Sequence, residues 1–267
     1  MKILALDTSV PPGSVAAAND FQITAGFFLD PQRKTTQTFA LALQAAVRQS
    51  RWTPADIELV AISTGPGSFT GLRIAVTAAK AFAYAAGCQV LGISSLRVIA
   101  EQLARWSATN ELGCQADASG SAADAWARAA GSSPVFHVVM NAQRGDMFAA
   151  AYRYENRAWR EIMPPGLSSL DHWLAGLNAG DVAGGPGLVN ALGRLPAGTV
   201  VAPMGVGIPQ AATLALLAAG DYQKGVRQDL WQLKPVYFRP SAAEEKRAAE
   251  PRENPAGAAL PGGGDGK

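Results

Sequence analysis

A glycine-bracketed turn joins an apolar strand to a long apolar helix, and it constrains the fold more than any other segment. Residues 57–62 (Ile-Glu-Leu-Val-Ala-Ile) read as the strand. The turn is Ser63-Thr64-Gly65-Pro66-Gly67-Ser68-Phe69-Thr70-Gly71-Leu72-Arg73, and 71–87 reads as the helix. Gly65 and Gly67 flank Pro66, so the backbone can turn sharply and expose its N–H groups. Ser68 or Thr70 is placed to cap the helix. A strand-to-helix turn of this kind suits an anion. Gly65 and Gly67 are therefore candidates for such an anion site, while Asp7 and Thr8 at the end of the first strand read first as a turn-cap pair; the four together are at most vestigial nucleotide-site candidates. The loop matches neither G-x-x-x-x-G-K-[ST] nor G-x-G-x-x-G and holds no lysine. On the residues alone, a tight turn feeding a core helix explains it better.

The chain of 267 residues is long enough for one large domain or two lobes with separate cores. With 16% charged residues and a formal net charge of +2, it shows no basic stripe to hold RNA by itself. Cys88 and Cys114, its two cysteines, make neither a metal cluster nor a disulfide framework. The start, Met1-Lys2 and four apolar residues before Asp7, reads as a strand rather than a signal peptide. No stretch reaches the roughly 18 uninterrupted apolar residues of a membrane span. The expected location is cytoplasmic.

Residues 2–7, 13–18 and 22–29 read as short strands joined by tight turns, with Pro11-Pro12-Gly13 marking the first turn. A helix over 36–50 carries Phe39, Leu43 and Val47 on one face. After the strand at 57–62 and the helix at 71–87 come a strand at 89–93 and a helix at 95–106. Residues 107–134 turn small and polar and read as an insertion, with a short helix near 124–130. Strands follow at 135–140 and 147–154. Then come a helix near 168–176, a strand near 181–184, a helix near 187–194, a strand near 199–202 and a helix near 208–220. Residues 241–267, rich in Ala, Glu, Pro and Gly, read as a disordered tail. This divides the chain into a first lobe (1–106), an insertion (107–134), a second lobe (135–240) and the tail (241–267).

Four segments resemble the TsaB family, the dimerisation subunit of the bacterial tRNA threonylcarbamoyladenosine machinery. They are Met1-Lys2-Ile3-Leu4-Ala5-Leu6-Asp7-Thr8-Ser9, the loop from Gly65 to Ile74 with its alanine-rich helix, Leu91-Gly92-Ile93-Ser94-Ser95-Leu96, and Pro235-Val236-Tyr237-Phe238-Arg239. They occur in the family's order and reach from Met1 to Arg239. The resemblance implies an α/β, two-lobed actin-like ATPase (ASKHA, ribonuclease H-like) fold, with mixed sheets flanked by helices. The order βββ-α-β-α-β-α of the first half agrees with it. It also implies a non-catalytic subunit that binds and supports a TsaD-like catalytic subunit. A TsaE-like ATPase would complete the assembly, which reaches tRNA through the complex. The resemblance admits a homodimer when the chain is alone. It implies no cofactor for this chain alone and admits ATP or ADP with magnesium in the complex. The alternative is an active ATPase or sugar-kinase-like enzyme, which needs Asp7 as a true magnesium anchor.

The residues count against that alternative. Two prolines, Pro11 and Pro12, follow Asp7-Thr8 where a phosphate turn needs N–H donors. The family's D-A-R-x-G turn is here Asn141-Ala142-Gln143-Arg144-Gly145, and an amide does not supply the charge for a magnesium-bound water. Gly184-Gly185-Pro186-Gly187 sits where actin-like folds pass the adenine, yet it also reads as an ordinary strand-to-helix turn. The two histidines, His137 and His172, form no H-x-x-x-H pair, and the helix starting Thr36-Gln37-Thr38 lacks the metal-binding pair of TsaD. No metal site, catalytic residue or peptidase constellation is expected. Gly71, Ala75, Ala79 and Ala83 repeat at every fourth position and draw a small-residue stripe along one helix face. Periodicity alone leaves open whether that face meets the protein's own sheet or another helix. Because the family is implied to pair through its first-lobe helices, the stripe is the expected partner interface.

Overall fold

The computed structural model describes residues 1–111, 133–142, 145–155 and 158–239. The helix expected near 124–130, residues 112–132 of the insertion expected over 107–134, Cys114, the Gln143-Arg144 pair and the tail from Ser241 lie outside the described residues; residues 107–111 do not open the insertion but continue the helix expected over 95–106.

The first sheet is built from β1 (Lys2–Asp7), β2 (Ser14–Asn19), β3 (Gln22–Phe28), β4 (Leu59–Gly65) and β5 (Gln89–Ser94), in the order β3-β2-β1-β4-β5. β1, β2 and β3 run antiparallel as a meander, and β4 and β5 lie parallel to β1. β4 is buried along its whole length, as a central strand covered on both faces must be. Alternate residues of β1 serve the two faces. Leu4 and Leu6 point to one core with α1 (Thr35–Gln49) and α2 (Phe69–Ala86). Ile3 and Ala5 point to the other core.

The second sheet repeats that connectivity. β6 (Val135–Asn141), β7 (Asp146–Glu155) and β8 (Ala158–Ser169) form the antiparallel meander, and β9 (Val182–Gly184) and β10 (Val200–Val201) run parallel to β6, in the order β10-β9-β6-β7-β8. β8 was not expected from the sequence, because it contains Pro164 and Pro165. It is tolerated because β8 is an edge strand, where a missing N–H can face away from the ladder. A helix was expected near 187–194. The structure has a single 3-10 turn there, Pro186–Asn190, and Gly193, with a left-handed φ of 85°, turns the chain away before a longer helix can form.

Core packing crosses the expected boundaries at 106 and 135. α3 (Ser95–Glu111) comes from the first segment, yet Leu96, Ile99 and Leu103 pack on Phe136, Val138 and Tyr152 of the second sheet. α5 (Ala211–Gln223) comes from the third segment, yet Leu214, Ala215 and Ala218 pack on Ile3, Ala5 and Ala16 of the first sheet. An apolar stripe shows that a helix has a face to bury and not which sheet receives it. Arg97 of α3 holds both carboxylate oxygens of Asp221 on α5 at 2.6 and 2.8 Å, which fixes the two crossing helices together. The short α4 (Leu170–Ala175) buries Trp173 under the outer face of the second sheet.

Candidate functional site

α2 starts at Phe69, and Ser68 is its cap, accepting a hydrogen bond from the Gly71 N–H at 3.2 Å. The loop before it lies directly on the turn after β1. The Ser68 N–H donates to the Ser9 carbonyl at 2.7 Å, and Thr8 Oγ1 donates to the Gly71 carbonyl at 2.6 Å. A Cβ at Gly67 would lie 2.4 Å from the Ser9 carbonyl oxygen, and one at Gly71 would lie 1.9 Å from that of Thr8. These two glycines therefore serve close approach of one turn to another. The loop N–H groups of Ser68 and Gly71 are already taken by the protein.

Asp7 is fully buried at the end of β1. One carboxylate oxygen accepts from the Ser9 N–H at 3.0 Å and the Ser9 hydroxyl at 2.8 Å, and the other accepts from the Ser63 hydroxyl. Burial raises the pKa of this carboxyl above its ordinary value, and the bonds from Ser63 and Ser9 work against that rise. Both oxygens are thus committed to protein donors, with the Thr8-Ser9 turn covered by the loop. These residues do not fit a hydrated magnesium ion with its phosphates, which needs free carboxylate oxygen and open N–H groups. Of the four nucleotide-site candidates, Asp7 and Thr8 come together with the loop, while Gly65 turns instead toward the C-terminal segment at Val236.

On the second lobe, a Cβ at Gly185 would lie 2.2 Å from the Val139 carbonyl oxygen, and one at Gly187 would lie 2.9 Å from the Met140 backbone. These glycines let the turn press on β6. The hairpin between β6 and β7 closes with the Ala142 N–H donating to the Asp146 carbonyl at 3.0 Å. His137 is buried in β6, 3.2 Å from an Asp181 carboxylate oxygen and edge-on to Trp173. His172 belongs to α4. Among the described residues, no three His, Cys, Asp or Glu side chains gather in a way that would hold a metal ion.

The small-residue stripe is not an outward surface. Gly71, Ala75, Ala79 and Ala83 are all buried, and Ala75, Ala79 and Ala83 belong to the core between α2 and the first sheet. Small residues there let α2 lie close on its own strands, so the expected interface is corrected to a core face. The opposite face of α2 is the exposed one. It carries an open groove of about 560 Å³ lined by Phe69, Arg73, Ile74, Thr77, Ala78 and Ala81. At one end, the Arg73 guanidinium lies 3.8 Å over the Phe69 ring and donates to the Tyr237 hydroxyl at 3.2 Å. At the other end, Tyr84 and Trp231 are 72% and 68% exposed with ring centroids 6.0 Å apart. Such exposed paired aromatics are uncommon on a surface with no partner. The sequence held a signal for this face in Tyr84, a lone exposed aromatic opposite the alanine stripe.

No helix among the described residues is long and apolar enough to cross a membrane.

A family model described as TsaD, tRNA N6-adenosine threonylcarbamoyltransferase, matches residues 30–118. The chain is 39% identical over 101 residues to the tRNA threonylcarbamoyladenosine biosynthesis protein TsaB of Escherichia coli, a match covering 38% of this chain and 43% of that protein. It is 26% identical over 181 residues to the Bacillus subtilis protein of the same name, covering 68% of each. The match thus spans less than half the length of the first relative and about two-thirds of the second. A solved structure from Pseudomonas aeruginosa, described as an uncharacterized protein with similarity to peptidase YEAZ, superposes with a TM-score of 0.70 at 21% identity, covering 89% of this chain and 99% of that one. At that identity the likeness concerns the fold alone.

Proposed function

We propose that the chain, similar over part of its length to proteins named TsaB, is a TsaB-family protein and a non-catalytic subunit in the synthesis of N6-threonylcarbamoyladenosine on tRNA. In this reading it works in the cytoplasm, where it binds and supports a TsaD-like catalytic subunit. Together with a TsaE-like ATPase, the complex transfers the threonylcarbamoyl group of threonylcarbamoyl-adenylate to the exocyclic amine of an adenosine, with AMP as the leaving group. The chain meets tRNA through the complex and not by a basic surface of its own.

The observation that carries the non-catalytic part is the closed contact of Gly67 and Gly71 with Ser9 and Thr8, beside an Asp7 whose two oxygens are engaged. The supporting part is the outer face of α2, with its groove and its exposed Tyr84 and Trp231. This face replaces the stripe as the docking surface. A partner covering it would bury aromatic and small apolar side chains in a shape suited to helix-on-helix contact.

The test is co-purification of the chain with a TsaD-like protein, in wild type and as Ala81→Glu. Ala81 is exposed in the groove, so the variant should fold. A carboxylate placed at a buried contact should weaken association about tenfold or more. Wild-type chain that fails to capture the partner would sink the reading. Unchanged capture by Ala81→Glu would move the docking surface off this face.

A further inference from the structure

The segment after α5 is irregular and closely fitted, and the proposed function uses only its Trp231. It begins beside β5, where Gln228 accepts from the Gly92 N–H at 2.7 Å. Lys80 of α2 donates to the Trp231 carbonyl at 3.1 Å, and Leu233 is buried in the core under α2. The Val236 N–H donates to the Thr64 carbonyl at 2.8 Å. The Tyr237 ring packs on Phe69 at 4.9 Å and its hydroxyl accepts from Arg73 Nε. Phe238 then reaches Phe148 of β7 at 6.1 Å. Arg239 ends on the hairpin of the second lobe, donating Nη1 to the Ala142 carbonyl at 2.6 Å and Nη2 to the Asp146 carboxylate. Two glycines clear its path. A Cβ at Gly65 would lie 2.8 Å from the Val236 carbonyl oxygen, and one at Gly92 would lie 2.4 Å from the Thr64 methyl and 3.0 Å from Leu233.

We propose that residues 228–239 form a strap that couples the outer face of α2 to the facing ends of β6 and β7 at Ala142 and Asp146, so that a partner seated on α2 stiffens the second lobe. The two anchors are Tyr237, on the first turn of α2, and Arg239, on the hairpin. Two residues of chain span at most about 7 Å, so the connection has no slack. Each anchor is specific. Arg239 presents a planar fork to a carbonyl and a carboxylate together, and Tyr237 closes an aromatic and cationic stack with Phe69 and Arg73. Coupling of this kind is reciprocal, so loosening the hairpin end must also loosen the α2 end. The part of the proposal that concerns a partner rests on the docking reading above, while the intramolecular part does not.

Amide hydrogen exchange on the full chain separates these parts. In the chain alone, Arg239→Ala should speed exchange about tenfold in the hairpin, the size expected for losing one charge-assisted pair. It should also speed exchange in the first turn of α2, at 69–73, and leave β1 and β4 unchanged. Faster exchange confined to the hairpin would make Arg239 a local cap and overturn the coupling. If Arg239→Ala loosens β1 and β4 as well, Asp146→Asn gives the same comparison, because it leaves the Ala142 contact in place. Adding a TsaD-like subunit should protect the hairpin in wild type and not in Arg239→Ala, with α2 protected in both. Protection of the hairpin in both would overturn the strap. Absence of protection on α2 in both would count against the docking reading alone, and the chain without partner would still decide the strap.

Discussion

Thr8 and Gly71 are locked face to face, with the Thr8 hydroxyl donating to the Gly71 carbonyl at 2.6 Å and a Cβ at 71 falling 1.9 Å from the Thr8 carbonyl oxygen. The turn after β1 and the start of α2 are therefore one packed unit. Gly71→Ala pushes them apart, and neither side is a flexible side-chain end that could yield. The expected cost is about 1–3 kcal/mol, the range for forced overpacking. Thermal unfolding of the variant checks this, and an unchanged melting temperature would mean the two turns separate readily.

Ala79 and Ala81 lie two residues apart on α2 and should behave oppositely. Ala79 is fully buried against the first sheet, and Ala81 is exposed in the groove. Ala79→Glu places a carboxylate in an apolar core, at a cost of several kcal/mol, enough to unfold a typical domain. Ala81→Glu should leave melting within about 0.5 kcal/mol of wild type, as surface changes do. Circular dichroism melts of the two variants alone decide it, and a stable Ala79→Glu would return the stripe to the surface.

The sequence made β1, β4 and α2 legible because each carries a strong local pattern. β1 is an apolar run ending at a buried acid, and the Gly65 to Ile74 loop marks the strand-to-helix turn. What periodicity could not supply was direction. It marked Ala75 and Ala79 as a face but left open whether that face met the sheet or a partner, and the sheet receives it. For the same reason α3 and α5 were placed with the lobes nearest in sequence rather than the lobes they cover. β8 was hidden by Pro164-Pro165, which argue against a strand everywhere except at an edge. The strap was hidden because an irregular segment without alternation has no period to read. Its pattern of Trp231, Tyr237 and Phe238 was visible, but the carbonyl contacts of Arg239 and Val236 depend on backbone groups that no side-chain pattern encodes.

Buried His137 makes stability depend on pH. Burial holds its pKa below the ordinary 6.5, and Asp181 acts in the opposite direction. The unfolded chain then takes up the proton first as pH falls. The contribution to stability is full above 6.5 and is lost as pH drops through the depressed folded value. His137→Gln keeps a donor toward Asp181 and does not titrate. The difference in melting temperature between wild type and this variant should shrink toward zero or change sign on going from about pH 7.5 to about pH 5. A constant difference would show that His137 titrates alike in the folded and unfolded chain.

Asp7 supplies the opposite slope and the sharpest test of the non-catalytic reading. Its carboxyl is held above the ordinary 3.8 by burial, so the folded chain keeps this proton to higher pH than the unfolded chain does. Its contribution to stability is full below 3.8 and falls as pH climbs through the raised folded value. Asp7→Asn is uncharged and near in shape. It still offers an oxygen to the Ser9 N–H and hydroxyl, and Ser63 can rotate to accept from the new amide. This variant should fold, and at neutral pH it should melt no lower than wild type. Asp7→Ala instead leaves the donors of Ser9 and Ser63 without their acceptor, at about 1–3 kcal/mol for each buried group left unpaired. It should melt well below both. The pair separates structure from catalysis, which the alanine variant alone does not. The wild-type chain should hydrolyse ATP with magnesium at the background rate. Robust hydrolysis in wild type that vanishes in a fully folded Asp7→Asn would make Asp7 a working anchor and the chain an active ATPase or sugar-kinase-like enzyme. Equal background rates in wild type and Asp7→Asn, with the alanine variant unstable, would leave Asp7 as the buried tie between the end of β1 and Ser63 of β4.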